Sequence, residues 1–264
     1  AERERARSEL AVASRIQLSA LPTVRPPFSG CDDFGLSASM HPAKEVGGDF
    51  YDFFLIDQDH CGVVIADVSG KGVPAALFMM RVKALLNQLL REDLSPDQVL
   101  ARANDGLCED NEAGMFVTVW LGVLDLRSGK LVYANGGHNP PLYRHADGSV
   151  EWMRDRSGLL LGSFEGVPYR VFERTMIRGD SLILYTDGVT EAMDASDHCY
   201  GDERLFQLVE RECDGYPASV SGVIEEDVRA FAEGADQADD ITLLVLRYDG
   251  QENGPAASAA GNRG

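Results

Sequence analysis

The stretch Gly62–Gly72, GVVIADVSGKG, decides the fold of this chain. It opens with the apolar run Val63–Ala66, which is typical of a strand that is buried on both faces. The run ends on the carboxylate of Asp67, and glycines follow it directly. A strand that carries an aspartate at its tip can place a metal ligand or an acid–base group. A lone aspartate at such a point more often only caps the turn, so the rest of the chain has to decide between the two interpretations.

Three further sites repeat this placement of a carboxylate where a predicted strand meets a turn. They are Asp49, Asp187 and the adjacent pair Asp239 and Asp240. Antiparallel strands can bring such ends together at one edge of a sheet. Clustered carboxylates repel one another, and no His or Cys stands at ligand spacing, so the pattern predicts a hard divalent cation. The loops do not match the calcium-loop pattern. The sequence therefore favours Mg²⁺ or Mn²⁺, in a pair that activates a water molecule.

The composition narrows the class of protein. The 264 residues include 43 Asp and Glu against 24 Lys and Arg, which gives a formal net charge of -19. Such a balance argues against nucleic acid and against anionic membranes as partners, because both need basic surfaces. We find no apolar run close to the length of a membrane span. The five cysteines are an odd number without a CxxC pair, which predicts reduced thiols in a cytoplasmic protein.

The chain divides into three predicted segments. Residues 1–22 read as a helix with an apolar stripe, residues 23–248 as one domain, and residues 249–264 as a disordered tail rich in small residues. The stripe consists of Leu10, Ala13, Ile16 and Ala20. The helix could pack on its own domain or form a coiled coil with a second copy. We favour the coiled coil, because two prolines separate the helix from the domain. The abrupt charged start suggests a piece of a longer protein.

Local patterns also predict the elements of the central domain. We expect helices over residues 74–91, 95–110, 202–213 and 217–232, because prolines and a serine cap mark helix starts. Alternating or continuous apolar runs predict strands over residues 34–43, 50–56, 61–68, 115–124, 130–134, 142–144, 171–176, 181–185 and 241–246.

Four of these segments together resemble a known family. They are EVGGDFYDF at 45–53, IADVSGKG at 65–72, YTDGVTEA at 185–192 and ADDITLLVL at 238–246. In order and spacing they resemble the SpoIIE/RsbU-type branch of the metal-dependent serine/threonine phosphatases, the protein phosphatase 2C-like (PPM) family. The resemblance extends from about residue 10 to residue 247. It implies an α+β fold, an α/β/β/α sandwich of two antiparallel sheets flanked by helices, with a dinuclear metal site at one end.

The resemblance also implies roles for individual residues. Asp67 would bridge two metal ions, the backbone carbonyl of Val68 would bind the second, and Asp49 would act on the second directly or through water. Asp67 and Asp49 are thereby the implied catalytic residues. The implied cofactor is Mn²⁺ or Mg²⁺, as two or three ions.

The remaining implied ligands lie on two other segments. Asp187 and Asp239 would hold the first ion. Asp240 is also a candidate ligand, but it stands where the larger family often has an asparagine that binds no metal, so it ranks below Asp239.

One departure from the wider family concerns the general acid. Many members carry DGHGG, whose histidine is a candidate acid for the leaving group, and this chain has Ser69 in that place. Because a serine alcohol is a poor acid near neutral pH, the proton has to come from metal-bound water or from another group. His138 is a candidate, but a histidine in a Gly-Pro turn is more often structural. Lys44, Lys71 and Arg81 could each contact the phosphate or be surface charges.

The function implied by the resemblance is hydrolysis of phosphoserine on a protein. In this branch the usual substrate is a STAS-type anti-anti-sigma factor, in bacterial stress or developmental signalling, with an upstream sensor domain in the full-length protein. A homodimer through the N-terminal helix is a further expectation. Two alternatives stay open: a non-catalytic metal-binding signalling module with the same fold, and a phosphoesterase that acts on small molecules.

Overall fold

A computed structural model describes residues 2–23 and 34–250 of the chain. The helices in the described residues are α1 (Glu2–Ala20), α2 (Val73–Leu90), α3 (Pro96–Cys108), α4 (Asp187–Thr190), α5 (Asp202–Glu212) and α6 (Pro217–Phe231). The strands there are β1 (Phe34–His41), β2 (Phe50–Leu55), β3 (His60–Val68), β4 (Val117–Asp125), β5 (Lys130–Gly136), β6 (Leu142–Arg144), β7 (Val150–Trp152), β8 (Phe172–Thr175), β9 (Ser181–Tyr185) and β10 (Ile241–Tyr248).

The strands form two five-stranded sheets whose named strands all pair antiparallel. Sheet I has the order β1-β10-β9-β6-β7, and sheet II has the order β2-β3-β4-β5-β8. Helices α5 and α6 contact sheet I, whereas α2 and α3 contact sheet II. The predicted α/β/β/α sandwich is therefore confirmed.

Strand β9 shows why several strands read as continuous apolar runs. Leu182 and Leu184 belong to a hydrophobic cluster that contains residues of both sheets. Ile183 and Tyr185, which alternate with them, belong to a second cluster with residues of α5 and α6. Successive side chains of a strand point to opposite faces. A strand between another sheet and a helical layer therefore has to be apolar at every position.

Local signals place most element boundaries within a few residues of the prediction. Helix α2 begins at Val73 with Pro74 in its first turn, where a missing N–H costs nothing. Helix α3 follows Ser95, whose backbone N–H donates to Gln98 Oε1 at 3.1 Å. The short helix α4 was not predicted, so Asp187 opens a helical turn where we expected a loop.

Helix α2 corrects one statement made from composition. It is long and apolar enough, by length and composition alone, to cross a membrane, although we found no run of that kind. In the fold, however, its residues Phe78, Met79, Val82 and Leu86 are buried, and the helix contacts β2, β3 and α3. Its apolar character is explained by this packing.

Helix α1 contacts the domain through residues outside the predicted apolar stripe. Ala13 and Ile16 of the predicted stripe are exposed, and Leu10 is half-buried. The residues that bury themselves on the domain are Gln17 and Leu21. The three-part division of the chain stays a prediction, and the predicted linker prolines lie outside the described residues, as does the tail beyond residue 250.

The described cysteines are all thiols. Cys61 and Cys213 are buried, Cys108 is half-buried, and Cys199 is exposed. Cys31 lies outside the described residues.

Candidate metal centre

The first half of the site lies at one edge of sheet II. Strand β2 begins just after Asp49, and β3 ends just after Asp67. Phe50 pairs with Ala66 in the antiparallel register, so the next residue on each strand, Asp49 and Asp67, lies opposite the other. The register thus brings together two carboxylates that the sequence placed at the ends of separate strands.

Asp49 is anchored across the sandwich by two threonines of sheet I. The hydroxyl groups of Thr186 and Thr242 donate to Asp49 Oδ2 at 2.7 and 2.8 Å. Despite these donors, burial and the charge of Asp67 raise the pKa of Asp49 well above its usual range. Asp49 therefore connects the two sheets at the site. Because its pKa is raised, a cation nearby would strongly stabilise its ionised form.

Asp67 lies at the centre of the carboxylate cluster. Burial comes first, and the charges of Asp187 and Asp239 follow, in raising the pKa of Asp67 to about 7. A hydrogen bond with Asp49 acts in the opposite direction. An aspartate that meets the charges of carboxylates from three other segments is the group that a cation between them would stabilise most.

The second half of the site lies at the corresponding edge of sheet I. Asp187 is the first residue of α4, directly after β9, and Asp239 lies just before β10. Burial and the charges of Glu191 and Asp239 raise the pKa of Asp187 to about 6. Gly188 permits this approach, because a Cβ there would overlap the backbone carbonyl of Asp240.

Asp240 has a different environment from its neighbour. It is buried, and its carboxylate accepts backbone N–H groups of Ala43 at 2.8 Å and Gly48 at 2.7 Å. Both carboxylate oxygens are thus engaged with the loop that leads to Asp49. This geometry gives Asp240 a structural task, and its place in the predicted ligand set stays a prediction of lower rank.

Gly47 and Gly48, just before Asp49, allow close packing around the predicted ligands of the second metal ion. A Cβ at Gly47 would overlap the carboxylate of Asp240, and a Cβ at Gly48 would lie 2.8 Å from the backbone oxygen of Val68. The carbonyl of Val68, a predicted ligand, therefore lies directly against the Gly48 backbone. A side chain at Gly48 would push the Asp49 segment away from the Asp67 strand, and one at Gly47 would displace the carboxylate of Asp240.

Lys71 supplies positive charge to the sheet I half of the site. Its Nζ lies 2.8 Å from Asp239 Oδ2 and also donates to the backbone carbonyl of Ala238. The sequence predicted two alternative roles for Lys71, phosphate contact and surface charge, and it did not predict this ion pair. The sequence therefore named Lys71 as a candidate near the site but did not predict its contact with Asp239.

The donor set fits a hard divalent cation in its chemistry. Over residues 2–23 and 34–250, no three His, Cys, Asp or Glu side chains are close enough to hold an ion as they stand. The cluster nevertheless offers only oxygen donors, and three of its members have raised pKa values. Carboxylate oxygens without imidazole or thiolate suit Mg²⁺ or Mn²⁺. The residues present fit such an ion once their side chains close around it.

His138 is buried and has hydrogen bonds at both ring nitrogens. Nε2 lies 3.1 Å from the carbonyl of Tyr185, to which it donates, and Nδ1 lies 2.9 Å from the hydroxyl of Thr118. Burial lowers the pKa of His138 to about 4, so the ring is neutral near pH 7. The structural interpretation of this histidine accounts for both nitrogens.

Two other candidates for contact with a phosphate or a leaving group also have structural partners. Ser69 Oγ accepts the backbone N–H of Phe116 at 3.0 Å. Arg81 donates to the backbone carbonyls of Gly106 and Glu109 at the end of α3. Lys44 is exposed.

A cavity of about 630 Å³ adjoins the site on the sheet I side, and Gly188 and Asp239 line it. Its apolar lining includes Ile224 and Val228, from α6. Glu226, Glu233 and Asp236, which are exposed, surround it. Asp239 therefore lies at the border between the carboxylate cluster and this cavity.

A family model described as Stage II sporulation protein E (SpoIIE) matches residues 57–249. The chain belongs to the SpoIIE family. This confirms the resemblance: the match covers three of the four motifs, with Asp67, Asp187 and Asp239, and the motif at 45–53 lies just before it.

Curated relatives of this SpoIIE-family chain include two phosphatases of Bacillus subtilis (strain 168). The phosphoserine phosphatase RsbU is 29% identical over 241 residues, which cover 91% of this chain and 70% of RsbU. The phosphoserine phosphatase RsbP is 28% identical over 244 residues, which cover 90% of this chain and 57% of RsbP. The chain thus spans only part of the length of these relatives.

Solved structures agree with the sandwich. The SiaA-PP2C domain of Pseudomonas aeruginosa superposes with a TM-score of 0.82 at 21% identity, covering 94% of this chain and 99% of that domain. The catalytic domain of the serine/threonine protein phosphatase PstP, solved with two manganese ions, gives a TM-score of 0.58 at 15% identity, covering 81% and 98%. At these identities the likeness establishes the fold.

Sequence reasoning missed the residues that support the predicted ligands. Thr186 and Thr242 hold Asp49, and Gln17 of α1 reaches the same loop, where it donates to the carbonyl of Gly47 at 2.6 Å and accepts its N–H at 3.1 Å. A polar Thr242 inside an apolar strand was a visible signal, because a buried hydroxyl needs a partner. The dipeptide Ile16-Gln17 also resembles that family branch, but the resemblance assigned no contact to Gln17.

Proposed function

We propose that this chain is a metal-dependent protein serine/threonine phosphatase that hydrolyses phosphoserine with a metal-activated water molecule. The observation that carries the proposal is the convergence of carboxylates from both sheets on Asp67, whose pKa is raised to about 7 by burial and by Asp187 and Asp239. Family membership supports it, and so do the names of RsbU and RsbP.

The proposed ligand roles follow the two halves of the site. Asp67 would contribute to the binding of both ions, Asp187 and Asp239 would hold the first, and Asp49 with the carbonyl of Val68 would hold the second. Bound Mn²⁺ or Mg²⁺ would supply the positive charge that activates water and neutralises the phosphate. Manganese in PstP, and magnesium in a solved RsbX structure with a TM-score of 0.62 and 16% identity, support this choice.

The chain's own residues prepare the site in defined ways. Thr186 and Thr242 hold one oxygen of Asp49 and so orient the other. Ser69 and His138 are engaged with Phe116 and with Thr118 and Tyr185. We infer that neither side chain protonates the leaving serine, which leaves water to supply that proton.

The proposed substrate is a phosphoserine on a STAS-type anti-anti-sigma factor, within sigma-factor regulation of a stress or developmental response. RsbU and RsbP support this class by similarity. The cavity beside Asp239 supports a protein substrate over a small one, because it offers space for the residues next to the phosphoserine. The free thiols of Cys108 and Cys199 are compatible with the proposed cytoplasmic location.

We further propose that α1 passes a signal from an upstream sensor, through a homodimer, to α2. Ile16 and Ala13 are exposed and line a groove of about 220 Å³ with Val73 and Leu77 of α2. Gln17 links this helix to the Gly47 backbone, two residues from Asp49. Deleting residues 1–22, or changing Leu10 and Ile16 to Asp, should alter activity, metal affinity and oligomeric mass. If all three stay unchanged, α1 is a passive tether.

The decisive experiment separates the three candidate functions. Hydrolysis of p-nitrophenyl phosphate that requires Mn²⁺ or Mg²⁺ would exclude a non-catalytic module. Release of phosphate from a phosphorylated STAS protein, much faster than from free phosphoserine, would exclude a small-molecule phosphoesterase. Absence of turnover with every substrate and metal would overturn the proposal.

A further inference from the structure

Lys71 occupies an unusual position in the site. It lies between Gly70 and Gly72, whose φ angles are +83° and +77°, and nothing lies within 4 Å of where a Cβ would stand on either glycine. Left-handed glycines in open space give a loop that few contacts restrain. The long side chain on this loop reaches back to Asp239 Oδ2 at 2.8 Å.

The charge environment makes this contact more than a surface ion pair. Among the residues that the structure describes, Lys71 is the only Lys or Arg paired with Asp49, Asp67, Asp187 or Asp239. Its charge also acts on Asp187, which lies on the other side of the cluster from Asp49. Clustered carboxylates need positive charge nearby, and Lys71 is the chain's own source of it.

We propose that the ammonium group of Lys71 is a resident counter-ion of the site, and that a divalent cation displaces it from Asp239. An ammonium group 2.8 Å from Asp239 Oδ2 disfavours a metal ion on the same oxygen, because the two cations repel each other. Uptake of the metal therefore breaks the Lys71–Asp239 pair. The inference rests on the proposed metal centre and adds an internal competitor to it.

The displaced ammonium group stays at the mouth of the site. Lys71 is partly exposed even when it is paired, and its loop ends where α2 begins at Val73. Once released, the amine is more accessible to solvent, and it remains beside the place where an anionic substrate has to arrive. The state of this one lysine thus reports whether the centre is loaded.

The direct test measures the chemical accessibility of Lys71 in the whole wild-type chain. We would label lysines briefly with an acetylating reagent, with EDTA or with saturating Mg²⁺, and quantify each site by mass spectrometry. Labelling of Lys71 should rise several-fold with Mg²⁺. Lys130, which pairs with Glu173 at 2.9 Å at the far end of β5, should not change. Unchanged or reduced labelling of Lys71 would overturn the inference.

A second test measures Mn²⁺ binding by calorimetry. Lys71→Met removes the competitor and should tighten binding by about two- to fivefold, the range expected for a partly exposed ion pair. Lys44→Met is the matched control, because Lys44 is an exposed lysine near the same edge for which the structure gives no ion pair. Equal tightening in both variants would reduce the effect to net charge and contradict displacement.

The outcomes also separate this inference from the proposed function. If the wild-type chain takes up no divalent cation in calorimetry, both fall together. If it binds the cation but Lys71 labelling does not respond, only the counter-ion role falls. If labelling responds but no phosphate ester is hydrolysed, the counter-ion role stands without the phosphatase.

Discussion

Strand β9 carries a buried or partly buried aspartate at each end, and the two ends differ in their partners. Asp180, just before the strand, accepts the hydroxyl of Tyr143 and the backbone N–H groups of Ala146 and Ile177, the last two at 2.9 Å each. Asp187, just after the strand, meets the charges of Glu191 and Asp239.

The difference teaches that burial alone does not mark a functional carboxylate. The donors around Asp180 satisfy its charge, so the residue acts as a bracket between β6 and β9. Asp187 and its neighbours Asp67 and Asp49 are pushed towards protonation by burial and mutual repulsion. A group whose charge the protein leaves unsatisfied is the one that predicts a missing ligand.

The largest expected effect is at Asp67, in the carboxylate cluster at the Asp187 end of β9. Asp67→Asn keeps the shape and removes the charge proposed to bridge two ions, so hydrolysis should fall by at least about a hundredfold. The metal-free variant should stay folded and melt no lower than the wild type, because a repulsion has been relieved. Turnover near the wild-type rate at saturating Mn²⁺ would falsify the bridging role.

The next prediction compares two adjacent aspartates with unlike partners. Asp239→Ala should abolish activity, because it removes a proposed ligand. Asp240→Ala should spare a good part of the activity but lower stability by about 1–3 kcal/mol, since the Ala43 and Gly48 amides lose their acceptor. Activity assays and chemical denaturation check both. The reverse ranking in activity would mean that the ligand assignment is shifted by one residue.

A smaller effect is expected at Asp180, whose carboxylate accepts three hydrogen bonds. Asp180→Ala leaves the hydrogen-bond donors of Tyr143, Ala146 and Ile177 without their acceptor. It should lower the unfolding free energy by about 1–3 kcal/mol. Activity per folded molecule and Mn²⁺ affinity should match the wild type. A variant that is stable but loses metal binding would show that the two ends of β9 are not independent.

The smallest expected effect is a pH dependence of the metal-free protein. The folded-state pKa of Asp67, about 7, lies above the ordinary aspartate value of 3.8, so the folded state holds a proton that the unfolded state has lost. Stability from this proton is complete below about pH 4 and disappears as the pH rises through 7. The melting temperature in EDTA should therefore fall between pH 6.5 and pH 8.

The pH window starts at 6.5 because His138 has the opposite effect on stability below that pH. Burial lowers the pKa of His138 to about 4 from the ordinary histidine value of 6.5, so His138 makes the protein more stable as the pH rises towards 6.5. Asp67→Asn should flatten the decline, and Mn²⁺ should reverse it. A decline of equal size in the variant would assign the effect to other residues.

Much of the fold was predictable because its signals are local. Apolar runs such as Val63–Ala66 and capped helix starts such as Ser95–Pro96 depend on neighbours in sequence. The carboxylates could be found for the same reason, since each stands where a strand meets a turn. Which strands share a sheet is not a local property: the resemblance implied two antiparallel sheets, and the structure supplied the strand order.

The supporting contacts of the site could not be predicted for a related reason. Thr242 and Asp49 are 193 residues apart, and Lys71 reaches Ala238 over 167 residues. Such pairs depend on register and on loop conformation, which no spacing rule encodes. The apolar stripe of α1 stays a prediction: Ala13 and Ile16 are exposed in the single chain, and Gln17 makes the contact with the domain.

The imidazole of His138 bears on the centre in one more way. It connects Thr118, which pairs with Asp67 across β3 and β4, to the carbonyl of Tyr185, two residues before Asp187. Two of the proposed ligands thus belong to different sheets, and the imidazole of His138 links the strands that carry them. Hydrostatic pressure compresses such a layered interior, and warming expands it. Metal affinity should therefore shift with pressure and temperature even when no ligand is altered.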